Sequence, residues 1–270
     1  MSSGIALIGF GEAGEAFAAA AQWGAGAVAF DIALSRRAAM VEIGVLAADD
    51  VQGALADAPL VLSLVTADQA LSAAEHCAAF LQPGAIWCDM NSVAPETKRA
   101  AASMVEAAGA QYVDVAILAP VNPALLNVPL LISGKVADKA ARLLGETGFT
   151  NVRVAGSDVG RASAIKMIRS VMVKGIEALT SEMMAAAEAA GVVEEILTSL
   201  DSGERNLPWA ERAAYNLERM TTHGARRAAE MEESVKTLES LGVDPVMTRG
   251  TVLRQRAAAK IKNDERTAVA

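Results

Sequence analysis

Residues 5–8 read Ile-Ala-Leu-Ile, an apolar run of strand length, and lead directly into Gly9-Phe10-Gly11-Glu12-Ala13-Gly14. No other feature narrows the fold as much. A strand that turns at once into a helix needs a corner residue without a Cβ, which Gly9 supplies. Gly11 leaves the backbone open to a pyrophosphate, and Gly14 lets the new helix lie close on its strand. A helix opening near Glu12 aims its free N–H groups and positive dipole end at the same phosphates. An acid, Asp31, closes the next apolar run, Ala27–Asp31, 22 residues after Gly9. The glycine spacing alone is weak. With a strand before it, an alanine-rich helix after it and an acid at this distance, it predicts a dinucleotide site rather than an empty βα turn.

Strand and helix signals keep alternating to about residue 155, the pattern of a doubly wound parallel sheet. Further strands are expected near Gly44–Leu46 and over Leu60–Val65, Ala85–Asp89, Tyr112–Val115, Leu130–Ile132 and Asn151–Val154, with a helix over 138–146. The character changes after Gly156. From Arg161 to Ala190 one long helical pattern carries Ile165, Ile168, Met172, Ile176, Leu179 and Met183 on an apolar stripe. Helices at 194–200, 208–220, 225–241 and from 245 follow, with no strand signal. The expected fold class is α/β: a Rossmann doubly wound, mostly parallel sheet over 1–155, then an all-α C-terminal domain over 156–262 joined by the long helix. A polar tail over 263–270 is expected to fray.

Composition removes several function classes. Hydrophobic residues make up 53% of the 270, but the excess is largely alanine and no run reaches the length of a membrane span. The first residues lack a basic region followed by an apolar signal core, so a cytoplasmic protein is expected. A net charge of −8 and only 4% aromatic residues argue against a nucleic-acid partner. Cys77 and Cys88 lie in apolar surroundings without zinc or redox spacing and read as buried free thiols. His76 and Cys77 have no matching ligand partners, and the paired acids are sequence neighbours that do not face each other on a helix. No metal is expected.

Asp31 can accept hydrogen bonds from the adenosine ribose and repels a 2′-phosphate, favouring NAD; Arg36 and Arg37 just downstream leave NADP open. Val65-Thr66 and Asn91-Ser92 fall at the carboxyl ends of expected strands, where open α/β sheets bind ligands. Turn and cap chemistry would explain the same residues. Lys166 sits about one turn inside the long helix, with Ser163, Ser170 and Lys174 near its face. Such a lysine can take a proton from a substrate hydroxyl as hydride leaves, or return it in reduction. On spacing alone a solvated helix lysine explains it better. His223, Arg226, Arg227, Glu230 and Glu233 form a charged helical cluster. It is either a salt-bridged solvated face, or a site where an arginine forks a carboxylate or phosphate beside His223. Trp209 reads as core or as the wall of an apolar pocket.

Three motifs occur in one order: Gly9-x-Gly11-x-x-Gly14, Asp89-Met90-Asn91-Ser92-x-x-Pro95 and Gly160-x-x-x-x-x-Lys166. Together they resemble the β-hydroxyacid dehydrogenase family, related to 6-phosphogluconate and 3-hydroxyisobutyrate dehydrogenases, over nearly the whole chain through Ala190. The stretch His223-Gly224-x-Arg226-Arg227-x-x-Glu230-Met231 resembles the helical C-terminal domain of a poorly characterised branch. The resemblance implies Lys166 as catalytic acid/base and cofactor contacts from Gly9 through Gly14 and from Asn91, to which the strand-end positions of Asp31, Val65 and Thr66 add three more. It also implies a substrate border at Ser92 and a homodimer; Leu118, Ser170, His223, Arg226 and Arg227 are further candidate substrate contacts by their position or chemistry. Two departures stand out. Ser170 occupies the place of the family's asparagine, and Leu118-Ala119-Pro120 stands where many members carry Ser-Gly-Gly after the strand of Asp114.

The expected activity is therefore NAD(P)-dependent hydride transfer to or from the hydroxyl-bearing carbon of a small anionic compound. A non-catalytic nucleotide sensor and an imine reductase are the rival readings, the latter opposed by Lys166 itself.

Overall fold

The structure, a computed structural model, describes residues 4–203 and 208–268. Eight strands build one sheet: β1 (Ile5–Ile8), β2 (Ala27–Phe30), β3 (Leu46–Ala47), β4 (Leu60–Ser63), β5 (Ile86–Asp89), β6 (Gln111–Ile117), β7 (Leu130–Ser133) and β8 (Val152–Gly156). Their order is β3-β2-β1-β4-β5-β6-β7-β8, and every pairing is parallel except β6 with β7. The helices between them are α1 (Glu12–Ala21), α2 (Arg36–Glu42), α3 (Val51–Leu55), α4 (Ala70–Ala78), α5 (Pro95–Ala107), α6 (Val121–Ala124) and α7 (Ala137–Glu146).

The central strands read as unbroken apolar runs because both faces are covered. Alternate residues of β1 enter different cores: Ile5 and Leu7 join Phe17, Leu62 and Leu144 on one side, while Ala6 and Ile8 join Val61, Trp87 and Val105 on the other. Cys77 and Cys88 are free and buried. Burial pushes each thiol up to about 12, with the Asp89 carboxylate adding to the effect at Cys88. Both thiols therefore stay protonated and unreactive near neutral pH. The folded protein should resist a maleimide that labels both cysteines after unfolding. Rapid labelling of either in the native state would contradict this burial.

After the sheet come α8 (Arg161–Ala190), α9 (Val193–Gly203), α10 (Trp209–Ser240) and α11 (Val246–Ala268). The chain divides into two compact units, Met1–Ser170 and Val171–Ala270, so the division falls inside α8 rather than ahead of it. The first turn of α8 is tied to the sheet, because Asp114 accepts the N–H groups of Gly160 and Ser163 at 3.1 and 2.9 Å. Ser133 Oγ accepts the N–H of Ala162 at 3.0 Å.

Three expectations need correction. The segments 208–220 and 225–241 form one helix, α10, unbroken at Gly224. That glycine is a packing device: a Cβ there would collide with the Gln255 carbonyl of α11. The last helix runs to Ala268, past the expected limit at Lys262. β6 runs on to Ile117, beyond the expected end at Val115, because its last residues pair with Leu130 and Leu131 of β7.

In the second unit Glu182 caps α11, accepting the N–H groups of Met247 and Thr248 at 2.7 and 2.9 Å and the Thr248 hydroxyl at 2.6 Å. The stripe of α8 is left open: Ile168, Met172 and Ile176 are 72%, 49% and 47% exposed. No helix among the described residues is long and apolar enough to cross a membrane.

Candidate functional site

A cleft of about 270 Å³ opens at the carboxyl ends of β1, β2 and β4, lined among others by Gly9, Gly11, Asp31, Val65, Thr66 and His76. Gly9 has φ +92°, and a Cβ on it would stand 2.6 Å from the Leu64 carbonyl oxygen. Only glycine fits this corner. A Cβ at Gly14 would come within 3.0 Å of Gly9 O, whereas one at Gly11 would meet nothing within 4 Å. No side chain caps the start of α1, so its first N–H groups are left for a ligand. Phe10 is buried under the loop, Ala13 packs on the core and Glu12 is exposed.

Asp31 is anchored at both oxygens: it accepts Phe10 N–H at 2.6 Å and Ala33 N–H at 2.8 Å. Arg36 donates to the Phe10 carbonyl and to Glu15, each at 2.5 Å. Arg37 is held by the Ala48 carbonyl at 2.8 Å and Asp49 at 2.5 Å. Both arginines therefore brace the loop and the neighbouring helices.

The second half of the site lies at the ends of β5 and β6. Lys166 Nζ donates to Ser92 Oγ, so the sequence-derived acid/base candidate and the Asn91-Ser92 turn do meet. Asn91 is buried; its Nδ2 donates to Ser63 Oγ at 2.9 Å, while its Oδ1 has no partner. Three residues along α8, Arg169 donates to the Leu118 carbonyl at 3.2 Å. Leu118 N–H is used by Pro129 O at 2.9 Å, and Pro120 has no N–H. Two of the three backbone donors in Leu118-Ala119-Pro120 are thus missing or taken. Ser170 is half-buried at the end of the first unit.

Beneath these residues is a polar cluster buried from solvent. Lys98 Nζ donates to the Asp89 carbonyl at 2.6 Å and to Asp89 Oδ1 at 2.9 Å, with Asp114 Oδ1 at 3.5 Å. Tyr112 donates its hydroxyl to Asp89 Oδ2 at 2.5 Å. Burial, then the charge of Asp89, holds that phenol protonated far above its ordinary range. Sequence reasoning passed over Lys98 and Arg169. A signal existed for the first: Lys98 falls on the inward stripe of α5 with Ala101, Ala102 and Val105. Arg169 shares a helical face with Lys166 at a spacing of three.

His223, Arg226 and Arg227 lie on α10 in the second unit. The side chains of Glu230, Glu233 and Trp209 lie outside the described residues, so the expected Arg226–Glu230 pair is not described. No group of His, Cys, Asp and Glu among the described residues is arranged to hold a metal.

The glycine corner, the open approach at Gly11, the uncapped helix start and the orphaned Asn91 Oδ1 fit a nicotinamide dinucleotide. They define a nicotinamide-nucleotide-binding Rossmann domain. Residues 4–143 match the family model of the NAD binding domain of 6-phosphogluconate dehydrogenase, and residues 187–258 match a domain of unknown function, DUF1932. The chain belongs to the 6-phosphogluconate and 3-hydroxyacid dehydrogenase superfamily, with a separate helical C-terminal domain.

Among solved structures, a conserved hypothetical protein from Sinorhizobium meliloti 1021 is 39% identical, with a TM-score of 0.63, over 95% of this chain and 88% of that one. The conserved protein MTH1747, described as structurally similar to 3-hydroxyacid dehydrogenases, is 30% identical over 95% and 96% of the two chains, with a TM-score of 0.62. An imine reductase from Streptomyces aurantiacus shares the fold at a TM-score of 0.77 and 22% identity, over 96% of this chain and 95% of that one.

Proposed function

We propose that the protein is a nicotinamide-dependent oxidoreductase acting on the hydroxyl-bearing carbon of a small anionic compound, with Lys166 as general acid/base. The observation that carries this reading is the Lys166–Ser92 hydrogen bond, formed at the carboxyl edge of the sheet that holds the glycine loop. A nicotinamide dinucleotide held by the Gly9–Gly14 loop would supply the hydride chemistry. In oxidation neutral Lys166 accepts the proton of the substrate hydroxyl at Nζ; in reduction its ammonium returns that proton to the carbonyl oxygen. Ser92 accepts from Lys166 and keeps its own O–H for the substrate oxygen. Arg169, parked on the Leu118 carbonyl, supplies guanidinium donors where the Leu118-Ala119-Pro120 backbone has lost its own, which suits a carboxylate or phosphate.

NAD is the favoured cofactor. Asp31 stands where a 2′-phosphate would be repelled, and Arg36 and Arg37 are engaged elsewhere. Asp31→Ala is expected to narrow the preference for NAD over NADP in parallel binding titrations; an unchanged ratio would remove Asp31 from the site. The exposed stripe of α8 favours a homodimer that covers it, with His223, Arg226 and Arg227 as further substrate contacts.

The test is nicotinamide absorbance with wild type and Lys166→Ala, both cofactors, and a panel of hydroxy acids, sugar acids, aromatic alcohols and their carbonyl partners. Turnover by wild type alone supports the reading. A second reading, imine reduction, draws on the loss of backbone donors at Leu118-Ala119-Pro120 that would hold a substrate carboxylate. Reduction of cyclic imines that persists in Lys166→Ala would favour it over the first.

A further inference from the structure

Among the described residues Lys98 is the only buried cation; its side chain is 0% exposed. Its position on α5 belongs to a stripe otherwise filled by Ala101, Ala102 and Val105. An apolar side chain would satisfy that stripe without the desolvation that an ammonium suffers. Something more specific than packing is therefore served. The ammonium stands between two carboxylates paired across adjacent parallel strands, Asp89 at the end of β5 and Asp114 in the middle of β6. In a dry site those carboxylates repel each other unless a cation lies between them.

Each carboxylate leads to Lys166 by a different route. Asp89 Oδ1 accepts the Asn91 N–H at 2.9 Å and fixes the turn that presents Ser92. Asp114 accepts the Gly160 and Ser163 N–H groups and the Ser163 hydroxyl, the last at 2.5 Å, and so fixes the first turn of α8. Lys166 lies three residues after Ser163 and closes the circuit on Ser92 Oγ. The ring runs from Lys98 through Asp89, Asn91 and Ser92 to Lys166, then back through Ser163 and Asp114. We propose that Lys98 is a positioning residue: it sets the spacing between the Asp89 and Asp114 carboxylates and thereby holds Lys166 on Ser92. Its catalytic meaning rests on the reading of Lys166 as the acid/base group.

The experiment is a double-mutant cycle read at Lys166 rather than in turnover. Isotope-labelled lysine side chains of the full chain are titrated by NMR, and the Lys166 signal is assigned by its loss in Lys166→Arg. Removing one hydrogen bond with Ser92→Ala should shift the Lys166 midpoint by about 0.5–1 pH unit. In a Lys98→Met background the same Ser92→Ala change should shift it by less than about half as much, because the two residues act through one geometry. The exposed Lys135 serves as control and should not move in any variant. Equal Ser92→Ala shifts in both backgrounds would overturn the proposal, as would the absence of any shift on Ser92→Ala in otherwise wild-type protein. If Lys98→Met does not fold, Ser163→Ala carries the cycle, since it removes the hydroxyl arm to Asp114 and leaves the charges in place. There too, strict additivity refutes the ring. The titration needs no substrate. Coupling at Lys166 with no turnover on any alcohol or carbonyl would count against the oxidoreductase reading alone.

Discussion

Lys166→Ala is expected to cut turnover by about 10²–10⁴, the usual worth of a positioned acid/base, while nucleotide affinity stays nearly unchanged. That corresponds to about 3–5 kcal/mol of transition-state stabilisation. The separation of effects follows from position. Lys166 reaches Ser92 beyond β5, whereas the cofactor cleft is lined by the loops after β1, β2 and β4. Stopped-flow or steady-state nicotinamide absorbance measures the rate, and fluorescence titration with reduced nucleotide measures the affinity. A parallel collapse of both would mean that Lys166 maintains the fold or binds cofactor, and the assigned proton transfer would fail. Lys166→Arg sharpens the test, since a guanidinium preserves charge but does not give up a proton at neutral pH.

Gly9→Ala should damage the protein more broadly. Its φ of +92° strains any residue bearing a Cβ, and that atom would sit 2.6 Å from the Leu64 carbonyl oxygen. The backbone strain alone costs about 1–3 kcal/mol. Relief requires moving β1 away from the loop after β4, which opens the floor of the cleft. We expect a Tm lowered by several degrees and nucleotide affinity reduced by at least about tenfold. Gly11→Ala gives the contrast. Its added methyl meets no protein atom within 4 Å, so thermal stability should hold while affinity falls. A Gly11→Ala protein that binds nucleotide as wild type does would show that the phosphates do not pass there.

The Rossmann half was legible because its signals are local. The glycine corner, the apolar runs and the acid at position 31 each follow from the conformation of a few neighbouring residues. The limits of α8 were equally readable, from Gly160 ahead of it to Gly191 behind. Gly224 misled for the same reason. Seen along the chain, a glycine suggests a break; the approach of α11, which excludes a Cβ, cannot be read from one helix.

The sequence by itself determined the succession of strands and helices along the chain and the cofactor corner, since spacing and side-chain chemistry suffice for these. The candidacy of Lys166 came from the family resemblance, because spacing alone favoured a solvated lysine. Only the tertiary structure decided that Lys166 meets Ser92, that Arg36 braces Phe10 and Glu15, and that Arg169 lies on the Leu118 carbonyl. It also decided that Lys98 is a buried counter-ion rather than a surface lysine. Asp89 and Asp114 are 25 residues apart along the chain but face each other across paired strands, with Lys98 of α5 between them. Their charges become strongly coupled only where the fold excludes water.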